Sequence, residues 1–143
     1  MPKGLTFTND FLKLFFNGGA IANLADNAAS SPLTGLFLAL HTADPGSSGN
    51  QTTNEISYTS YARVSVARTS AAFVVSARTV SLAALQAFPA STGGAATTAA
   101  FFSVGTVLSG TGKILYSGTL TPNIAVSNGV TPQINSGTII TED

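Results

Sequence analysis

The sequence predicts a mostly β protein: a jelly-roll-like β-sandwich with a short N-terminal helical segment, preceded by an extended N-terminal arm. Three observations predict it. From Gly35 onward, short alternating or wholly apolar runs recur between clusters of Gly, Pro, Asn, Ser and Thr, the pattern of short strands joined by turns. Asn128-Gly129 lies between two apolar runs and is a strong hairpin signal, because both residues tolerate positive φ. Helix-like spacing is confined to the stretch before Pro32. With 143 residues the chain has the size of one domain, so the expected organisation is an arm over residues 1–7 and a single β domain over residues 8–143.

Leu5 and Phe7 are the only large apolar groups of the arm and need somewhere to dock. Thr8 or Asn9 can cap a helix, Asp10 suits its first turn, and Asn17-Gly18-Gly19 ends it. Phe11, Leu12, Leu14, Phe15 and Phe16 cover more than half of that helix, so it must be covered on more than one side. Residues 20–29 read as a second short helix, broken by Ser30-Ser31-Pro32. Gly35–Thr42 is apolar on both faces and reads as a central strand. A polar loop follows over residues 44–54, and then an alternating strand over Tyr61–Arg68. Further strands are expected over residues 72–76, 79–83, 85–88, 98–105 and 113–120. Residues 124–127 and 130–134 should pair across Asn128-Gly129, and residues 138–141 close the set.

Composition narrows the function classes. The chain has no Cys, no Trp and one His, and only 8% of its residues are charged, so it carries few of the groups that move protons, bind metals or attack substrates. Six Lys and Arg balance six Asp and Glu, which gives no basic field for nucleic acid. A mean hydropathy of +0.33 with so few charges implies a Ser-, Thr-, Ala- and Gly-rich surface suited to packing on other proteins. No basic segment followed by an apolar run opens the chain, and no stretch approaches the length of a membrane span.

Individual motifs are weak. Asp44, Gly49 and Glu55 fall at the first, sixth and twelfth positions of an EF-hand loop, but Gly46 replaces the third ligand and Pro45 follows the first, so a surface loop is expected. His41, Asp44 and a nearby Ser could form a nucleophilic triad, but no Gly-x-Ser-x-Gly turn holds a Ser, so His41 is expected to be structural. Gly18-Gly19 and Gly93-Gly94 need only turn chemistry. Arg63, Arg68 and Arg78 are half of the positive charges, each either paired internally or offered to a partner's carboxylate. The expected partner-binding residues are Leu5, Phe7, Phe11, Phe15, Arg63, Arg68 and Arg78, with no catalytic, cofactor or metal residues.

Leu38-Ala39-Leu40-His41-Thr42-Ala43-Asp44-Pro45-Gly46, then Asn50-Gln51-Thr52-Thr53-Asn54-Glu55, Tyr58, Tyr61-Ala62-Arg63-Val64 and Val66-Ala67-Arg68, resembles a family of tailed-phage structural proteins. Phe88-Pro89-Ala90, Phe102-Ser103-Val104-Gly105 and Gly112 to Leu120 continue the likeness, which spans roughly residues 36–121. Within that family it looks closest to capsid cement (decoration) proteins of the kind found on a Bordetella short-tailed phage. The resemblance implies a non-enzymatic jelly roll on the outer surface of the phage capsid, made in the bacterial host cytoplasm and bridging major capsid proteins to stabilise the shell. Its expected partners are the major capsid protein and a second copy of itself, without nucleic acid or membrane contact. The alternatives are a tail or tail-fibre component and, from another class, a carbohydrate-binding β-sandwich, which normally displays aromatic platforms; this chain offers only Tyr58, Tyr61 and Tyr116.

Overall fold

A computed structural model describes residues 5–21 and 32–141. In chain order its elements are α1 (Leu5–Phe16), β1 (Gly35–His41), β2 (Val64–Ala67), β3 (Phe73–Ser76), β4 (Thr79–Leu82), β5 (Gln86–Ala87), β6 (Thr97–Gly105), β7 (Ile114–Val126), β8 (Gln133–Ile134) and β9 (Ile139–Thr141). The protein is mostly β, with antiparallel sheets and one short N-terminal helix, consistent with a β-sandwich. Its residues group into two compact units: Met1–Gly35 with Ala67–Leu85 and Asn135–Asp143, and Leu36–Val66 with Gln86–Ile134. No helix among the described residues is long and apolar enough to cross a membrane.

In the first unit α1 packs on a sheet of order β3-β4-β9. The helix begins at Leu5, before the expected cap at Thr8 or Asn9. Leu5, Thr6 and Phe7 hold no Gly or Pro to prevent helix, and Thr8 joins Leu12 and Phe16 on the buried face instead of capping. Of the expected extended arm, residues 5–7 are therefore helical, and residues 1–4 lie outside the described residues. The Phe16 ring meets Phe73 of β3 edge-on, with centroids 5.1 Å apart. Gly18, at φ 67°, turns the chain out of the helix, and the amides of Asn17 and Gly19 both return to the Lys13 carbonyl. Ala20 is not helical and Ile21 forms an isolated bridge; the rest of the second helix expected over residues 20–29 lies outside the described residues.

The second unit is organised by a four-stranded sheet of order β2-β1-β6-β7. β1 is the central strand that its two apolar faces predict. Leu38 sits opposite Val104 and Leu40 opposite Phe102, all four buried; the other face carries Ala39 opposite Ser103 and His41 opposite Phe101. β7 merges two predicted strands, and it passes Pro122 in a stretch without a register partner on β6, where a missing N–H costs no ladder bond. Against β6 its register jumps at two places: Leu115 is extra between Tyr116 and Ile114, and the four residues Leu120 to Asn123 stand against Ala100 alone.

The expected hairpin across Asn128-Gly129 does not form. The turn itself is present, with Gly129 at φ 85° and a Val130 amide to Ser127 carbonyl bond of 3.0 Å. Beyond it, however, the Gly129 amide donates to the Ser91 carbonyl at 2.7 Å and the Ser91 amide donates to the Val130 carbonyl at 2.9 Å. The following strand, β8, accordingly pairs with β5, Ile134 opposite Gln86. Tyr61–Arg68 is likewise shorter as a strand than its alternation predicts: the Tyr61 amide closes a turn onto the Tyr58 carbonyl at 3.0 Å, and the strand begins at Val64.

Candidate functional site

The residues between β1 and β2 form a loop laid back onto its own sheet and fixed by three buried polar side chains. His41 is fully buried at the end of β1. Its Nδ1 lies 2.8 Å from the Thr53 carbonyl, which can only accept, so Nδ1 carries the proton and Nε2 accepts from the Ser103 hydroxyl at 2.8 Å. Burial holds the imidazole below its ordinary pKa against the opposing pull of the Thr53 carbonyl and Glu55, so the ring is neutral near pH 7.

The second clasp is Gln51, also fully buried. Its Oε1 accepts from the amides of Thr106 and Val107 at 3.0 Å each, while its backbone N–H donates to the Gly112 carbonyl at 2.9 Å. Glycine is needed at two neighbouring positions for close approach: a Cβ on Gly105 would stand 2.1 Å from Gln51 Cδ, and one on Gly112 2.0 Å from Oε1. No sequence motif singles out Gln51; the two glycines are the available signal, and their partner is visible only in three dimensions.

The third clasp accounts for Arg63. Its side chain is 3% exposed and forms a two-pronged pair with Glu55, Nε to Oε1 at 2.7 Å and Nη2 to Oε2 at 2.8 Å. Nη1 and Nη2 also donate to the carbonyls of Val107 and Gly110 at 3.0 and 2.9 Å. The Tyr61 hydroxyl accepts from the Leu40 amide at 3.1 Å and donates to Glu55 Oε1 at 3.0 Å; burial pushes its pKa up strongly. Of the two readings open in the sequence, Arg63 takes the internal one. Glu55, at the twelfth position of the calcium pattern, gives both oxygens to Arg63, and Asp44 Oδ1 accepts the Gly46 amide at 2.9 Å. Among the described residues no group of three or more His, Asp or Glu is arranged to hold a metal ion.

Beside this loop runs an open groove of about 320 Å³, lined by Asp44, Gly46, Ser47 and Gly49 on one side and Ile114 to Ser117 of β7 on the other. The other tyrosines are turned inward: Tyr58 is buried and donates to the Pro89 carbonyl at 2.8 Å, and Tyr61 stacks on Phe88 at 6.3 Å.

The remaining predicted residues belong to the first unit. Phe7, Phe11 and Phe15 form an aromatic stripe along α1, with centroids 6.3 and 4.8 Å apart, adjoining the buried face of Thr8, Leu12 and Phe16. Leu5 and Phe7 are exposed at 52% and 44%. Arg68 donates from Nε and Nη2 to the carbonyls of Phe15 and Leu14, so it caps the helix C-terminus, where a cation also meets the negative end of the dipole. Arg78 sits at the tip of the β3–β4 hairpin, its amide donating to Asn9 Oδ1 at 2.8 Å. Thus the structure gathers Leu5, Phe7, Phe11 and Phe15 on one helix and holds Arg63 and Arg68 in internal bonds, Arg68 on the Phe15 carbonyl itself.

The profile of the family described as podophage GP4 fiber I protein gp80 matches residues 16–142. The chain belongs to that family. It is therefore a bacteriophage structural protein and a component of the virion. The finer likeness to the capsid cement protein of a Bordetella phage is not part of that finding. Among curated proteins no match is found.

Proposed function

We propose that the protein is a non-catalytic structural subunit of the fibre apparatus of a podophage virion, acting through protein–protein contact. The observation that carries this reading is the family match over residues 16–142, to a family described by a fibre protein. The chemistry supports it. The only histidine and the hydroxyl that it accepts from are both buried, so neither meets a substrate, and the clasps of Gln51, Glu55 and Arg63 use their polar groups to hold the fold. A carbohydrate-binding module is less well supported, because Tyr58 and Tyr61 face inward. A chain with 8% charged residues and no net charge suits burial between subunits and does not favour nucleic acid.

A second reading is supported by the likeness of residues 36–121 to capsid cement proteins. In it the protein binds the outer surface of the head, bridges major capsid proteins and stabilises the assembled shell by mass action. Gold-labelled antibodies against the purified protein, applied to intact virions and viewed by electron microscopy, separate the two. Label at the tail is the expected result; label spread over the head surface would replace the fibre reading with the cement reading.

A further inference from the structure

The chain holds two Asn-Gly pairs, Asn17-Gly18 and Asn128-Gly129. Asparagine before glycine carries a reaction of its own: the next backbone nitrogen can attack the side-chain carbonyl carbon, and glycine, with no Cβ, leaves that approach open. At Asn17 the side-chain amide is tied down, its Nδ2 donating to the Phe73 carbonyl at 2.9 Å. Asn128 and Gly129 are both exposed, and the hairpin that they signal does not form. What their turn does instead is clip one segment of chain to another.

The shape of the turn keeps the reaction from starting. The Val130 amide closes on the Ser127 carbonyl at 3.0 Å, and of the two central residues Gly129 alone has a positive φ, 85°, the pattern of a type II turn. That turn sets ψ of Asn128 near about +120° and so swings the Gly129 nitrogen away from the asparagine side chain. A five-membered ring closes only when the nitrogen comes round to eclipse Cβ. The nitrogen is also occupied. Its N–H donates to the Ser91 carbonyl at 2.7 Å, the Ser91 amide returns to the Val130 carbonyl at 2.9 Å, and the Phe88 amide donates to the Pro132 carbonyl at 2.9 Å before Gln133 and Ile134 pair with β5. Attack therefore requires the bond from Gly129 to Ser91 to break and the turn to open.

We propose that Asn128 is a deamidation site held latent by its clip to Ser91, and that its reaction makes opening of the clip irreversible. When the clip opens, the Gly129 nitrogen gives its proton to hydroxide and bonds to Asn128 Cγ; the Cγ–Nδ2 bond breaks, and the amide nitrogen leaves as ammonia, taking a proton from water. Water then adds to one of the two carbonyls of the succinimide and breaks its bond to nitrogen, which takes back a proton. The product at position 128 is aspartate or, with the main chain rerouted through the side-chain carboxyl, isoaspartate. No oxidant or reductant enters. Isoaspartate lengthens the backbone by one methylene, so Gly129 and Val130 lose register with Ser91. Either product adds a carboxylate to a stretch, residues 56–141, that has no Asp or Glu.

In the test, the native protein is incubated at mildly alkaline pH, folded in buffer and unfolded in guanidinium. Position 128 is followed by peptide mass spectrometry, with aspartate and isoaspartate separated by chromatography. Deamidation of Asn128 should be more than about tenfold slower in the folded chain, and should quicken at guanidinium concentrations below the unfolding transition, since opening of the clip precedes attack. Gly129→Ala should slow the reaction in the unfolded chain, because its Cβ obstructs the nitrogen. The isoaspartate form, purified by ion exchange, should lose hydrogen-exchange protection at the amides of Phe88, Ser91 and Gly129 and keep it in β1 and β6. Equal rates in the folded and unfolded chains, an intact Asn128 in the unfolded chain, or native protection at Ser91 in the isoaspartate form each overturns the proposal.

Discussion

Replacing Arg63 with Ala should be among the most damaging single changes outside the apolar core. The substitution removes four donated bonds at once: two to Glu55 and one each to the carbonyls of Val107 and Gly110. Breaking a buried ion pair by deleting one partner typically costs about 3–5 kcal/mol, because the surviving charge stays desolvated. The Glu55 side chain is 16% exposed, so water reaches part of it and the lower end of that range applies. We expect a loss of about 3 kcal/mol, equivalent to roughly 10 °C in melting midpoint for a chain of this size. The assay is thermal and urea unfolding followed by circular dichroism, completed as a double-mutant cycle with Glu55→Gln. The pair should show a coupling of about 1–3 kcal/mol, since once Arg63 is gone a neutral Gln at position 55 becomes favourable relative to Glu. Melting of Arg63→Ala within 2 °C of the native protein, or additivity in the cycle, would refute the assignment of Arg63 to the interior and return it to the surface for partner binding.

Gly105→Ala should cost about 1–3 kcal/mol, because its Cβ would lie 2.1 Å from Gln51 Cδ; chemical denaturation checks this, and combination with Gln51→Ala should cost less than the sum. Ala77 and Arg78 hold left-handed backbone angles, φ 47° and 69°, in the two-residue β3–β4 turn, so Ala77→Asn should raise stability by about 0.5–1 kcal/mol; a lower melting midpoint would contradict the turn geometry. The pKa of His41 is lowered in the folded state, so below the ordinary value of 6.5 the unfolded chain binds the extra proton first. Stability should thus be complete above about pH 7 and fall as the pH drops below 6.5, by at most about 1.4 kcal/mol per unit, and a His41→Gln variant measured by urea unfolding should lose that slope.

The elements most legible in the sequence are those whose residues answer to local rules. β1 and β6 carry apolar side chains on both faces and were placed within a residue or two, and the exit of α1 follows from Gly18. What local rules do not contain is the choice of partner. Asn128-Gly129 makes its turn, yet the chain beyond pairs with residues 86–91, since Ser91 receives the Gly129 amide and offers its own to Val130. Arg63 is written among surface-like residues, and its partners lie 8 residues before it and 44 and 47 after it. Arg68 is similar, reaching back 53 and 54 residues to the helix carbonyls. Alternation within a strand predicts a face, but a long polar side chain can cross to the interior once carbonyls and a carboxylate converge on it. The length of β7 is hidden in a similar way: Pro122 reads as a break between two strands, yet the strand runs past it through a stretch that has no register partner on β6.

The central claim, a structural subunit of the virion's fibre apparatus, is tested most directly by comparing cryo-electron microscopy reconstructions of the phage with and without the gene for this chain. The account predicts density lost from the tail and fibre region and a head of unchanged composition. Reconstructions that are identical in the tail, with density missing from the head surface or from nowhere, would contradict it.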